Sequence, residues 1–280
     1  MQMPFVVAIC PTKGRPHLIP NVIRMWKAQT YPDSRRQLII WDDQPNFLDH
    51  QEENWQINSF PAGHFEHITC KYHSMVEYAL QEFRPDYIAI WEDDDIYLDH
   101  HLEYSVNCDR ICNKGVVRND LVWTNHPGGL GVARLYITGA PYHGSWVFTP
   151  KAYRKCGGYS EKPIDKFDID FCSRLASHGC TGLSGYFPAQ FDPMWRGVFP
   201  TYVYRFGTTG YSNASSIGTN FTDGYNAAHA DMNIYPIPHD QFDTETQLLR
   251  GLPSGSIPEH ILTDPESITN GLDLDTDSPP

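Results

Sequence analysis

Three short apolar runs, each ending abruptly in polar or charged residues, frame the N-terminal part of the chain. Phe5 to Cys10 is a β-rich apolar run that stops at Pro11-Thr12-Lys13-Gly14-Arg15-Pro16, a turn-rich loop. Leu38 to Trp41 is a second buried run and leads directly into Asp42-Asp43. Tyr87 to Trp91 is a third and leads into Glu92-Asp93-Asp94-Asp95. Between the first two, Leu18, Val22, Ile23, Met25 and Trp26 recur at helical spacing and predict a helix of about three turns, closed by Tyr31-Pro32-Asp33. Ser74 to Phe83 predicts another helix, with Met75, Ala79 and Leu80 facing inward. Ile68 to Tyr72, just before it, reads as a strand, and residues 44–66 read as polar and irregular.

Strand, helix, strand in this order predicts an α/β sheet with parallel strands. In such sheets ligands bind in the crevice beyond the carboxyl ends of the strands. Three strand ends would therefore gather a loop with Thr, Lys and Arg, a carboxylate pair and a carboxylate cluster at one edge. The second half changes character. Gly, Pro and aromatic residues are frequent from Pro127 to Phe206, with Gly144 to Phe148 strand-like and Asp170 to His178 helical. From about Leu249 the chain is rich in Pro, Gly, Ser and acids, which predicts a loosely attached tail.

Composition narrows the classes. The chain has 280 residues, 40% of them hydrophobic, enough for a substantial core. Its 34 acids against 21 basic residues give a net charge of −13, which argues against general affinity for a nucleic-acid backbone. Seven cysteines without a CxxC pair predict reduced, scattered thiols. The N-terminus lacks the pattern of a signal peptide and no run is long enough to span a membrane, so the expected place is the cytoplasm.

The sharpest chemical feature is the acidic run at 92–95. Carboxylates crowded at a sheet edge raise one another's pKa values, and a hard divalent cation, Mn²⁺ or Mg²⁺, would hold them ionised while bridging to a diphosphate. The plain alternative is a solvated acidic turn that caps a helix. Asp42-Asp43 fits a base ring N–H or a ribose hydroxyl, or equally a turn and cap. His64, His67, Cys70 and His73 recur every third residue, but a strand and a turn within that segment would keep them from converging on zinc. Walker, HExxH and Ser-elbow motifs are absent, and Gly128-Gly129-Leu130-Gly131 lacks the context of a dinucleotide fingerprint.

The ordered set PTKGRP, LIIWDD and YIAIWEDDDIYLDHHLE resembles the family 2 glycosyltransferases of the GT-A fold. The resemblance implies a Rossmann-like mixed α/β sheet with a parallel nucleotide-binding half and a smaller acceptor-side region. It divides the chain into residues 1–110 for the donor half, 111–248 for the acceptor half and 249–280 for the tail. Glu92-Asp93-Asp94 stands in the D-x-D place, with Glu for the first Asp. The resemblance puts Asp94 and Glu92 on the metal, Glu92 and Asp93 on the nucleotide sugar, Asp42 or Asp43 on the base, and Pro11, Thr12, Arg15 and Lys71 on the nucleotide side. A late histidine as a further metal ligand is implied for His229, with His239 and His143 as other candidates.

The segment from Gly144 to Tyr159, which ends Gly-Gly-Tyr, is similar to the family's acceptor-side segment. The segment Lys166 to Gly179 is similar to its E-D-x-D-L-x-x-R-L segment, with Phe167 in place of Glu. That alignment implies Asp168 as catalytic base, and acceptor contacts by Asp170, Trp146 and Trp195. The implied activity is a metal-dependent, inverting transfer from a nucleotide-diphosphate sugar, a UDP-sugar foremost, to a hydroxyl on a glycan or other acceptor. A hydroxylated nucleobase in DNA is an acceptor alternative that the acidic charge disfavours. Rival readings are a nucleotidyltransferase, which should carry a richer Gly loop after the first strand than Gly14 alone, a metal-dependent phosphodiesterase or nuclease, and a non-catalytic sugar-binding protein.

Overall fold

The computed structural model describes residues 2–118, 121–124, 134–137, 142–180, 201–204, 242–243 and 248–249. Strand β1 (Val6–Thr12) is followed by helix α1 (Ile19–Lys27), β2 (Arg36–Asp42), β3 (His50–Gln51), β4 (Trp55–Ser59), α2 (Ile68–Glu82), β5 (Tyr87–Ile90), β6 (Ile96–Tyr97) and α3 (His101–Cys112). Then come β7 (Val116–Val117), β8 (Leu121–Thr124), β9 (Arg134–Ile137), β10 (Val147–Phe148), α4 (Pro150–Lys155), α5 (Phe167–Ser177) and β11 (Tyr202–Tyr204). A short pair, β12 (Phe242–Asp243) and β13 (Leu248–Leu249), completes the described elements.

The main sheet has seven strands in the order β3-β4-β2-β1-β5-β10-β7. Its centre, β4, β2, β1 and β5, is parallel, while β3 and β10 run antiparallel to their neighbours. Because β10 pairs with β5, and β7 with β10, this sheet includes strands from both sides of residue 110. A second sheet, β6-β11-β8-β9, lies after the acidic run.

All seven residues of β1 are buried, as befits a central strand covered on both faces. Strand alternation sorts them. Val6, Ala8 and Cys10 face one layer with Val22, Trp26, Leu38, Ile40 and Trp91, under α1 and α3. Val7 and Ile9 face the other with Ile39, Met75, Ile88, Phe148 and Phe171, under α2, α4 and α5. On the first face Trp26 meets Trp91 edge-on at 5.3 Å, a pairing worth about 1 kcal/mol beyond its burial.

Four sequence expectations change. Ile68 to Tyr72 is not a strand but the first turn of α2. The β-branched start suggested a strand, yet His67 caps the helix by accepting the Thr69 N–H, and Tyr72, Met75, Val76 and Ala79 then fall on one buried face. The segment 44–66 contains β4, whose Trp55, Gln56 and Ile57 are buried because parallel pairing to β2 covers even the glutamine. Gly144 to Phe148 is mostly a 3-10 turn, His143–Ser145, followed by only two strand residues. Helix α5 begins at Phe167, earlier than predicted, after Lys166 turns the chain at φ 63°. Helix α3, whose buried face includes His101, Leu102 and Ser105, carried no clear apolar stripe in sequence.

Candidate active site

The registers of the central strands bring the polar ends together. Thr12 is the Cα partner of Asp42, and Ile9 of Ile90, so β1, β2 and β5 finish side by side. The Thr12 hydroxyl donates to Asp93 Oδ2 at 2.6 Å. Arg15, in the loop after β1, reaches the same cluster: Nη2 lies 2.6 Å from Asp93 Oδ1 and Nη1 lies 2.7 Å from Asp94 Oδ2. The contact to Oδ1 is an ion pair without hydrogen-bond alignment. Burial works against the Arg15 charge, but Asp93 and Asp94 outweigh it and the guanidinium pKa is raised.

Lys71 on α2 is buried and donates to the Thr12 carbonyl at 2.7 Å, with Asp43 Oδ1 at 3.3 Å. Burial lowers its pKa against the pull of Asp43. The two acids after β2 have separate surroundings. Asp42 accepts from the Gln44 N–H at 3.1 Å and the Asn46 N–H at 3.0 Å, and also from the Asn46 side chain, so it braces its own loop. Burial nevertheless raises its pKa. Asp43 instead meets Lys71.

Glu92 is held from the other side. Its Oε1 accepts from Tyr72 at 3.3 Å and lies 3.0 Å from His143 Nδ1. Its backbone N–H donates to the Tyr97 hydroxyl at 2.7 Å, which donates onward to the Gly144 carbonyl at 3.0 Å. Tyr202 donates to Asp95 Oδ2. Gly144 is required here by proximity: a Cβ on it would lie 2.7 Å from the Tyr202 hydroxyl and 3.0 Å from Asp95 Oδ2. Burial first, and Asp94 second, push the Glu92 carboxyl up to about 8. Burial, partly offset by Arg15, pushes Asp93 up to about 7.

Glu92, Asp94 and Asp95 each present an oxygen such that all three lie within 4.8 Å of one another. Among the described residues this is the only such grouping of three or more His, Cys, Asp or Glu side chains. It is an all-oxygen set, burial pushes its Glu92 carboxyl up to about 8, and the one guanidinium that reaches it, Arg15, is shared between Asp94 and Asp93. Those features fit a hard divalent ion such as Mn²⁺ or Mg²⁺.

The residues expected on the acceptor side spread further. Asp168 is in the first turn of α5, near enough to His143 to act on its charge. Phe167 stacks on Tyr72 at 5.2 Å and meets His143 edge-on at 5.1 Å. Asp170 is taken up by Arg174, whose Nη2 donates to Oδ2 at 2.6 Å while Nη1 donates to the Cys156 carbonyl at 2.8 Å. Trp146, expected to stack on an acceptor sugar, is 1% exposed and packs against Phe171 and His143, so it belongs to the core. Trp195, His229 and His239 lie outside the described residues. Of the spaced His/Cys set, His67 caps α2, Cys70 Sγ donates to the Glu161 carbonyl and His73 meets the Tyr159 carbonyl, so they do not converge. Missed in the sequence were Asp95 as a member of the triad and the hydroxyls of Tyr72, Tyr97, Tyr159 and Tyr202. Only Tyr97, two residues past the acids, carried a local signal.

No protein-family model and no curated protein matches the chain. Among solved structures it is similar to the mannosyltransferase PcManGT from Pyrobaculum calidifontis in complex with GDP-Man and Mn2+, at 13% identity and TM-score 0.50, over 75% of this chain and 59% of that one. It also matches S. aureus TarS 1-349 in complex with UDP-GlcNAc, at 10% identity and TM-score 0.49, over 75% of this chain and 61% of that one. A further match is S. aureus TarS, at 10% identity and TM-score 0.47, over 62% of this chain and 34% of that one. The chain thus spans between about a third and three fifths of the length of these structures. The first likeness speaks for the fold: a GT-A-like mixed α/β sheet with a parallel centre. Among the described residues no helix is long and apolar enough to cross a membrane.

Proposed function

We propose that the chain is a metal-dependent, inverting glycosyltransferase that moves a sugar from a nucleotide diphosphate, foremost UDP, to an acceptor hydroxyl. The observation that carries this reading is the Glu92, Asp94 and Asp95 triad at the carboxyl edge of a GT-A-like sheet, flanked by Thr12, Arg15 and Lys71. The mannosyltransferase of like fold is recorded with GDP-Man and Mn2+, which is consistent with such a role here.

In this reading Glu92, Asp94 and Asp95 hold the ion, which when bound neutralises the charge growing on the departing diphosphate. Asp43, set by Lys71, accepts hydrogen bonds from the base, since the oxygens of Asp42 are committed to its own loop. Thr12 and Arg15 keep Asp93 in place behind the pyrophosphate. Asp168, across the site on α5, takes the proton of the attacking hydroxyl. Attack from the face opposite the leaving group inverts the anomeric centre.

The test is donor turnover with Mn²⁺ over a panel of UDP- and GDP-sugars, with thermal shift as the binding readout. Asp94→Ala is expected to abolish turnover and the Mn²⁺-plus-nucleotide stabilisation while the protein still folds. Asp168→Asn is expected to keep that stabilisation and lose transfer. Unchanged turnover by Asp94→Ala overturns the metal assignment, and normal transfer by Asp168→Asn places the base elsewhere.

A further inference from the structure

His143 is buried in an aromatic enclosure. Tyr72 meets its ring at 4.9 Å, Trp146 at 5.1 Å, Phe167 at 5.1 Å and Tyr159 at 5.8 Å, each close to edge-on. Both ring nitrogens are engaged. Nδ1 is 3.0 Å from Glu92 Oε1, and Nε2 is 2.7 Å from the Tyr159 hydroxyl. A histidine used at both nitrogens is not offering one to a metal ion, so the metal-ligand role considered for it does not fit. Its two partners belong to different parts of the site. Glu92 follows β5 in the acid cluster. Tyr159 closes the Gly157-Gly158 turn, whose Cys156 carbonyl is held by Arg174 of α5. That helix carries Asp168 in its first turn.

We propose that His143 is a positioning residue that locks the Glu92 carboxylate for a divalent ion and ties it to the Tyr159 turn beneath the helix bearing Asp168. The inference deepens the glycosyltransferase reading and rests on it. With Glu92 ionised, Nδ1–H donates to Oε1 and Nε2 accepts from the Tyr159 hydroxyl. Together with Tyr72, this fixes the Oε1 end of the carboxylate beside Asp94 and Asp95. Groups that orient a metal ligand in this way typically matter 10- to 100-fold, roughly, in metal affinity.

The side-chain geometry supplies matched probes. An asparagine amide nitrogen occupies roughly the place of Nδ1, and a glutamine amide nitrogen roughly that of Nε2. Mn²⁺ affinity of the full chain with UDP, read by electron paramagnetic resonance, is the readout, with melting temperature recorded alongside. His143→Leu is expected to weaken Mn²⁺ binding by about 10- to 100-fold. His143→Asn is expected to recover most of that loss, and His143→Gln to recover little. Tyr159→Phe is expected to leave Mn²⁺ affinity near wild type while lowering kcat for transfer at unchanged donor KM. If His143→Leu does not fold, the Asn and Gln variants, being close in volume and polarity, decide the matter. Wild-type Mn²⁺ affinity in His143→Leu, or equal affinity in the Asn and Gln variants, overturns the positioning role while the parent reading stands. A wild-type protein that binds no Mn²⁺ with either UDP or GDP removes the parent reading and this one with it.

Discussion

Replacing Arg15 by methionine tests the electrostatics of the acid cluster directly. The guanidinium lies 2.6 Å from Asp93 and 2.7 Å from Asp94. The Asp93 side chain is 1% exposed and that of Arg15 is 24% exposed, so the pair is largely desolvated. Breaking a fully buried pair by removing one partner costs about 3–5 kcal/mol, because an uncompensated charge remains. The exposure of Arg15 and the surviving Thr12 hydrogen bond reduce this, and about 2 kcal/mol is expected. Adding Asp93→Asn removes the more deeply buried of the two carboxylates left without Arg15. The double variant should therefore be about 2 kcal/mol more stable than the sum of the single losses implies. Urea denaturation of the four proteins at pH 8 without metal measures the cycle. Additivity within about 0.5 kcal/mol would refute the idea that Arg15 acts as the counter-charge of Asp93.

Two further outcomes follow from the same corner. The Glu92 carboxyl keeps its proton to about 8 in the fold against an ordinary 4.5, so between these values the unfolded chain binds fewer protons. Metal-free stability should then fall as pH rises from about 4.5 to about 8, by at most about 1.4 kcal/mol per unit, and by less because the Glu92 side chain is 26% exposed. Mn²⁺ competes with that proton, so its stabilising shift in Tm should grow over the same window; a shift independent of pH contradicts the shared site. Gly144→Ala places a methyl 2.7 Å from the Tyr202 hydroxyl and 3.0 Å from Asp95 Oδ2, and should cost about 1–3 kcal/mol and weaken Mn²⁺ binding. Calorimetry checks both, and a fully tolerated alanine would show that the turn and Asp95 are not in close contact.

Much of the polar edge of the sheet was readable in one dimension. A buried parallel strand needs an apolar run, and where the run stops, the next residues stand at the sheet edge. That is why the sequence alone places Thr12, Asp42 and Glu92 at one edge, and why the acids after Trp91 stand out. The failures have equally specific causes. Ile68-Thr69 looks β-like in isolation, and only the packing of Tyr72, Met75 and Val76 makes it a helix. The polar letters of Gln56 and Asn58 hid β4, because neighbouring strands, not hydropathy, bury it.

The sequence by itself determined β1, α1, β2 and β5, the carboxyl edge on which their polar residues collect, and the acidic run that calls for a cation, because these depend on periodicity and local charge. The tertiary structure alone decided which carboxylates share one point in space, that Asp42 serves its loop while Asp43 meets Lys71, that Trp146 is core, and that His143 joins Glu92 to Tyr159. Such pairings link residues tens of positions apart, and no local spacing encodes a contact that only packing creates.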